Sequence, residues 1–180
     1  MVRLSVAQLE AMTPEERLEI TQLSMSHCAN LNKFPTIVLT CTNLVRLYLR
    51  GNELTSIPRE LGNLVNLTYL CLQNNQITSI PREIGNLVKL EYFSFEDNQL
   101  TSVPRELGTL VNLKYFYFTR NKLTIIPREL GNLMCYFIRL DKNIAYSDVI
   151  EFSVVAREIV DRVVGANTFS DLGRFCADMI

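Results

Sequence analysis

Few residues of this chain are of a type that could do covalent chemistry, and their spacing argues against it. His27 is the only histidine, so no second imidazole exists to complete a metal site or a proton relay. Cys28 beside it suggests a thiol nucleophile with an adjacent base, yet neighbours on an extended segment point to opposite faces. His27 therefore reads as a solvated or hydrogen-bonded side chain. The five cysteines, Cys28, Cys41, Cys71, Cys135 and Cys176, form an odd, scattered set without a Cys-x-x-Cys pair. That rules out zinc-finger spacing and supplies no disulfide framework. No glycine-rich phosphate loop is present. The chain reads as a non-enzyme with no cofactor and no metal. What remains is the chemistry of recognition. Tyrosine and arginine are enriched at binding hot spots because each joins a large contact area to a polar tip.

Those residues fall at alternate positions. Arg46, Tyr48 and Arg50 make one triplet. Tyr69, Cys71 and Gln73 make the next, followed by Tyr92, Ser94 and Glu96, then Tyr115, Tyr117 and Thr119, then Phe137, Arg139 and Asp141. Stacked, they place Arg46, Tyr69, Tyr92, Tyr115 and Phe137 in one column, with Tyr48 and Tyr117 beside it. Five of the seven tyrosines would then share one solvent-facing surface. Core packing does not require aromatics at outward positions, which favours a binding role. The competing reading is that tyrosines ~4.8 Å apart on neighbouring strands pack on each other and stabilise the sheet. The rim charges are mixed, with Arg50, Arg120, Arg139 and Lys142 against Glu91, Glu96, Asp97 and Asp141, and the net charge is −1. A protein partner fits this balance better than nucleic acid, which wants a basic groove.

A repeat positions these triplets. From Leu44 to Leu133 one 23-residue phrase, L-x-x-L-x-L-x-x-N-x-L-T-x-I-P-R-E-L-G-x-L, recurs four times. Its columns are Leu44, Leu67, Leu90 and Leu113; Asn52, Asn75, Asn98 and Asn121; and Pro58, Pro81, Pro104 and Pro127, with Pro35 one period upstream. A fixed period of this length marks a solenoid. The L-x-L alternation, as in Leu47-Tyr48-Leu49, predicts a short strand with leucines inward, and successive strands run parallel. Each asparagine turns the chain out of the sheet and bonds the backbone of that turn and of the next repeat; Asn143 continues the ladder. Each proline opens a helical turn that Gly62, Gly85, Gly108 and Gly131 close. Arg59, Arg82, Arg105 and Arg128 stand beside Glu60, Glu83, Glu106 and Glu129. Stacked repeats would turn these into a solvated ion ladder rather than a site.

The 180 residues leave room for one domain. Residues 1–19 read as a helical N-terminal cap, with Thr13-Pro14-Glu15-Glu16 as a capping box. Residues 20–143 hold the repeats. The first is irregular, with Ile20, Leu23 and Met25 as its anchors and Cys28 in the asparagine's place. The last strand spans Cys135 to Asn143. Residues 144–180 read as a C-terminal helical cap. There Ser147 caps a helix over Asp148–Val164, with Val149, Phe152, Val155, Ile159 and Val163 on one face, and a second helix follows Ser170. No secretory leader is recognisable before Met12, and no run approaches the ~18 apolar residues of a membrane span. An intracellular, cytoplasmic protein is expected.

The columns of residues 20–143 resemble the leucine-rich-repeat family, and the I-P-x-x-[LI]-G form is similar to intracellular Ras-binding-group repeats of animals and plants and to bacterial and viral ones. The resemblance implies an α/β fold: a curved, right-handed solenoid with a parallel sheet on its concave face, closed by helical caps. It also implies a protein-binding, scaffold or signalling role. Cys176-Ala177-Asp178 resembles the Cys-x-Asp motif of bacterial leucine-rich-repeat ubiquitin ligases, but no catalytic domain surrounds it, and Leu172, Phe175 and Met179 explain Cys176 as packing. Function is therefore expected at a concave face made of Arg46, Tyr48, Arg50, Tyr69, Gln73, Tyr92, Glu96, Tyr115, Tyr117, Phe137 and Arg139. One alternative is an adaptor or substrate-recognition subunit of a ubiquitin-ligase or signalling complex that docks through the C-terminal helices. The other is a structural or decoy protein without a dedicated ligand. The sequence leaves the oligomeric state open.

Overall fold

A computed structural model describes residues 1–139 except Ile125, Met134 and Tyr136, with the strand Phe137–Arg139 given by its backbone alone. The expected C-terminal helices, Asn143 and Cys176 lie outside the described residues. The chain lays down one strand per repeat: β1 (Val2–Arg3), β2 (Gln22–Ser24), β3 (Arg46–Tyr48), β4 (Tyr69–Cys71), β5 (Tyr92–Ser94), β6 (Tyr115–Tyr117) and β7 (Phe137–Arg139). They form a single sheet in sequence order, every neighbouring pair parallel. Between strands the chain returns through five 3-10 helices: Thr36–Thr40, Arg59–Asn63, Arg82–Asn86, Arg105–Thr109 and Arg128–Asn132. Each of the last four follows a repeat proline in extended conformation, as the missing proline N–H allows at a helix start.

The inward half of each strand builds the core. Leu47, Leu70, Phe93 and Phe116 stand in register, and Leu49, Leu72, Phe95 and Phe118 form the row beside them. All are at most 1% exposed. Leucine gives way to phenylalanine halfway along. The rings then interlock, with Phe93 stacked 5.7 Å from Phe116 and Phe116 tilted 4.0 Å from Phe118. Ile20, Leu23 and Met25 of the irregular first repeat are buried in the same core.

The asparagine ladder forms with its direction corrected. Each amide serves its own turn and the preceding repeat, not the following one. Asn75 donates to Leu72 O and, one repeat back, to Leu49 O, while its Oδ1 accepts from Leu54 N. Asn52 and Asn121 repeat the pattern. The residue before each asparagine position adopts a left-handed conformation: His27, Gly51, Asn74, Asp97 and Arg120 lie at φ 55°, 67°, 55°, 55° and 59°. Glycine, asparagine and aspartate suit this region, whereas arginine strains to enter it. Arg120 is held there by a two-point ion pair to Asp97, with Nη2 to Oδ2 at 2.6 Å.

The glycines were expected to terminate helices, but close approach is what requires them. An added Cβ at Gly85 would lie 2.5 Å from the backbone oxygen of Glu106, and Gly62 and Gly108 would collide with Glu83 O and Glu129 O. We expect Gly85→Ala to push two stacked 3-10 helices apart and to cost about 2 kcal/mol, as overpacking against rigid backbone does. Urea unfolding followed by circular dichroism measures it.

At the N-terminal end residues 1–19 hold two short helices and a strand. The Thr13 box forms, with Glu16 N donating to Thr13 Oγ1 at 3.2 Å and Thr13 N donating to Glu16 Oε2 at 2.7 Å, ahead of α2 (Pro14–Leu18). Ser5 and Gln8 make a second, unforeseen box ahead of α1 (Val6–Ala11). β1 was missed altogether. Among the described residues no helix is long and apolar enough to cross a membrane.

Candidate partner-binding face

The alternate positions of β3 to β6 share the face opposite the core, as their spacing requires. Arg46, Tyr69, Tyr92 and Tyr115 stand in register, with the Phe137 backbone completing the row. Tyr48, Cys71, Ser94 and Tyr117 form the second row, ending at the Arg139 backbone. The side chains of Phe137 and Arg139 lie outside the described residues. Gln73 and Glu96 are half-buried in the third row.

The tyrosines lean on one another. Tyr69 and Tyr92 stack with ring centres 4.1 Å apart and planes 5° from parallel, closer than the ~4.8 Å strand spacing itself. Tyr48 reaches diagonally to Tyr69 at 4.7 Å, and Tyr92 lies nearer its diagonal neighbour Tyr117, at 5.5 Å, than Tyr115, at 6.3 Å. The rings thus close over the two small residues between them. Cys71 and Ser94 are 2% and 0% exposed, and the Ser94 hydroxyl finds no partner among the described residues.

This corrects one expectation. Tyr117 is only 3% exposed, and Cys71, Ser94 and Thr119 are buried too, although all four alternate outward. Outward means away from the core; the neighbouring rings decide whether it also means solvent. Tyr115 is the open end of the cluster, at 43% exposure.

Charge is distributed unevenly. Toward β6 each acid among the described residues is engaged: Glu96 accepts from Thr119 Oγ1 at 2.6 Å, Glu91 from Lys114 at 2.8 Å, and Asp97 pairs with Arg120. Arg46 and Arg50 have no ion pair among the described residues. The expected ion ladder on the return helices does not form across repeats. Arg59, Arg82, Arg105 and Arg128 instead pair with the next residue of their own repeat, at 3.0 to 3.8 Å and largely in solvent. Another exposed feature is a valine in the turn before β4, β5 and β6: Val65, Val88 and Val111, 47%, 47% and 59% exposed.

Elsewhere little invites chemistry. His27 is exposed in its left-handed turn, and the Cys28 N–H is taken by Asn52 Oδ1. Cys28, Cys41, Cys71 and Cys135 take part in no disulfide among the described residues. Burial pushes the Cys135 thiol up to about 12 and raises Cys41 as well, so both stay protonated and unreactive at neutral pH. No group of three histidines, cysteines or acids that could hold a metal occurs among the described residues.

A model of the leucine-rich repeat region matches residues 18–136. The chain belongs to the leucine-rich-repeat family. It is similar to the functional domain of InlJ from Listeria monocytogenes, at 27% identity and a TM-score of 0.62, over 80% of this chain and 32% of that one. It resembles the PEPR1–AtPEP1 structure at 34% identity and a TM-score of 0.51, over 57% of this chain and 15% of that one. The BIR2 ectodomain of Arabidopsis thaliana shares the fold, at 24% identity and a TM-score of 0.52, over 64% and 66% of the two chains. This leucine-rich-repeat chain therefore spans 32% of the InlJ functional-domain chain and 15% of the PEPR1–AtPEP1 chain. No curated protein is significantly similar in sequence. Leucine-rich repeats are commonly protein–protein interaction modules and typically non-enzymatic.

Proposed function

We propose that this repeat protein is a non-enzymatic interaction module that docks a protein partner on its tyrosine-rich concave face. The observation that carries this reading is the stacked, half-exposed cluster Tyr48, Tyr69, Tyr92 and Tyr115. Its rings are already ordered by one another, so little side-chain freedom remains to be lost when a partner lands on them. Sheet stabilisation alone would be served equally by apolar rings; tyrosine adds phenol hydroxyls, the feature that suits a surface alternately wet and covered. Cysteines without disulfides among the described residues fit a reducing, intracellular setting.

The test is affinity capture from native lysate with wild type and with Tyr69→Ala/Tyr92→Ala/Tyr115→Ala, the variant first shown by circular dichroism to be folded. We expect a partner retained by the wild type to be lost by the variant, since truncating a hot-spot aromatic costs about 2 kcal/mol or more. Equal retention by both would sink the concave reading and favour docking through residues 144–180, as an adaptor would use.

A further inference from the structure

Arg3 enters the concave face through β1. That strand pairs with β2 so that Arg3 stands opposite Ser24, and Ser24 opposite Tyr48. Arg3 is therefore in the same row as Tyr48 and about 10 Å away, two parallel-strand spacings. Its guanidinium donates to Ser26 O at 3.4 Å. Arg46 and Arg50 flank Tyr48 two residues to either side, on the same face, and the backbone ladder continues past β3 to Gly51. Along an extended chain they are about 13 Å apart.

Among the described residues no acid interrupts this end of the sheet row; the residues between the arginines are Gln22, Ser24 and Ser26. Arg50 Nε is covered and has no acceptor among the described residues, a costly condition for a charged donor. Among the described residues the acids of the face lie at β5, and Glu96, Asp97 and the rim residue Glu91 are each engaged by a neighbour on β6 or its flanks. Among the described residues the acids of the concave face are thus engaged at β5 and β6, while Arg46 and Arg50 have no ion pair at the other end, beside the tyrosine stack.

We infer that the β1–β3 end of this face takes an extended acidic segment of the protein partner. Its carboxylates sit on Arg46 and Arg50, and an aromatic residue lies against the Tyr48 and Tyr69 rings. The inference rests on the concave reading above and names its ligand chemistry. The about 13 Å separation of Arg46 and Arg50 corresponds to residues i and i+4 of an extended peptide, a span too long for one phosphate. Guanidinium–carboxylate bonds supply the specificity.

The probe is a fluorescein-labelled peptide in which glutamates alternate with alanines around one central tyrosine. Its glutamine counterpart is the control, and both are titrated against the full chain by fluorescence anisotropy. We expect the glutamate peptide to bind about tenfold more tightly or better, and to weaken as salt rises from about 50 to 200 mM. Arg46→Gln/Arg50→Gln abolishes that preference, whereas Arg46→Lys/Arg50→Lys keeps much of it. Equal binding of the two peptides, unchanged binding by the glutamine variant, or displacement by inorganic phosphate as effective as by free peptide would each overturn the inference. A native partner lost by the tyrosine variant but kept by Arg46→Gln/Arg50→Gln would leave the concave face standing and remove the acidic segment. Loss of the probe by the arginine variant alone, with the tyrosine variant behaving as wild type in both assays, would keep the acidic site and remove the tyrosine reading.

Discussion

Phe116→Ala should destabilise the solenoid by about 4 kcal/mol, at the upper end of what large-to-small core changes cost. Phe116 has no exposed surface. It stacks on Phe93 across the strand pair, and its ring centre lies 4.0 Å from that of Phe118, just past the end of its strand. Removing the ring opens a hole beside the rigid rings of Phe93 and Phe118, which are poorly placed to fill it. Phe116→Leu returns the residue found in the same column at Leu47 and Leu70 and should cost only about 1.5 kcal/mol. Each repeat contacts chiefly its neighbours, so the alanine variant should also uncouple the last repeats from the first. Urea unfolding read by circular dichroism should then show a broadened transition with a reduced slope. A sharp transition at the wild-type midpoint would contradict the interlocked aromatic core.

Asn98→Ala should cost about 3 kcal/mol, the sum of several buried groups losing their partners. The side chain is 7% exposed. It donates to Phe95 O at 3.1 Å and Leu72 O at 2.9 Å, and it accepts from Ile77 N at 2.9 Å. Alanine fills none of these roles, and the two turns it joins belong to successive repeats. Asn112 gives the comparison: its amide also bonds one repeat back, to Val88 O, but in solvent. Water can replace that bond, so Asn112→Ala should stay within about 0.5 kcal/mol of wild type. Similar losses at both positions would mean that the ladder asparagines are not specially placed.

The architecture was legible because period and strand coincide: every L-x-L phrase lands on a strand, and every ladder asparagine among the described residues lands on its turn. The misses have physical causes. β1 is two residues long, too short to show any alternation, and it carries Arg3 into the face unannounced. The left-handed column is camouflaged by Arg120, a type that rarely signals positive φ. The burial of Tyr117 depends on Ser94 and Cys71 being small, a property of neighbours rather than of the tyrosine. The repeat glycines looked like helix ends, because sequence spacing records where a glycine is and not which backbone passes over it.

Once a partner is captured, the most direct measurement is its dissociation constant against three folded chains: wild type, Tyr69→Ala/Tyr92→Ala, and Val65→Ser/Val88→Ser/Val111→Ser. Recognition on the concave tyrosines predicts at least about a tenfold loss for the tyrosine variant, or 1.4 kcal/mol, with the valine variant within about threefold of wild type. The reverse pattern, with the valine stripe carrying the affinity and the tyrosines none, would contradict it.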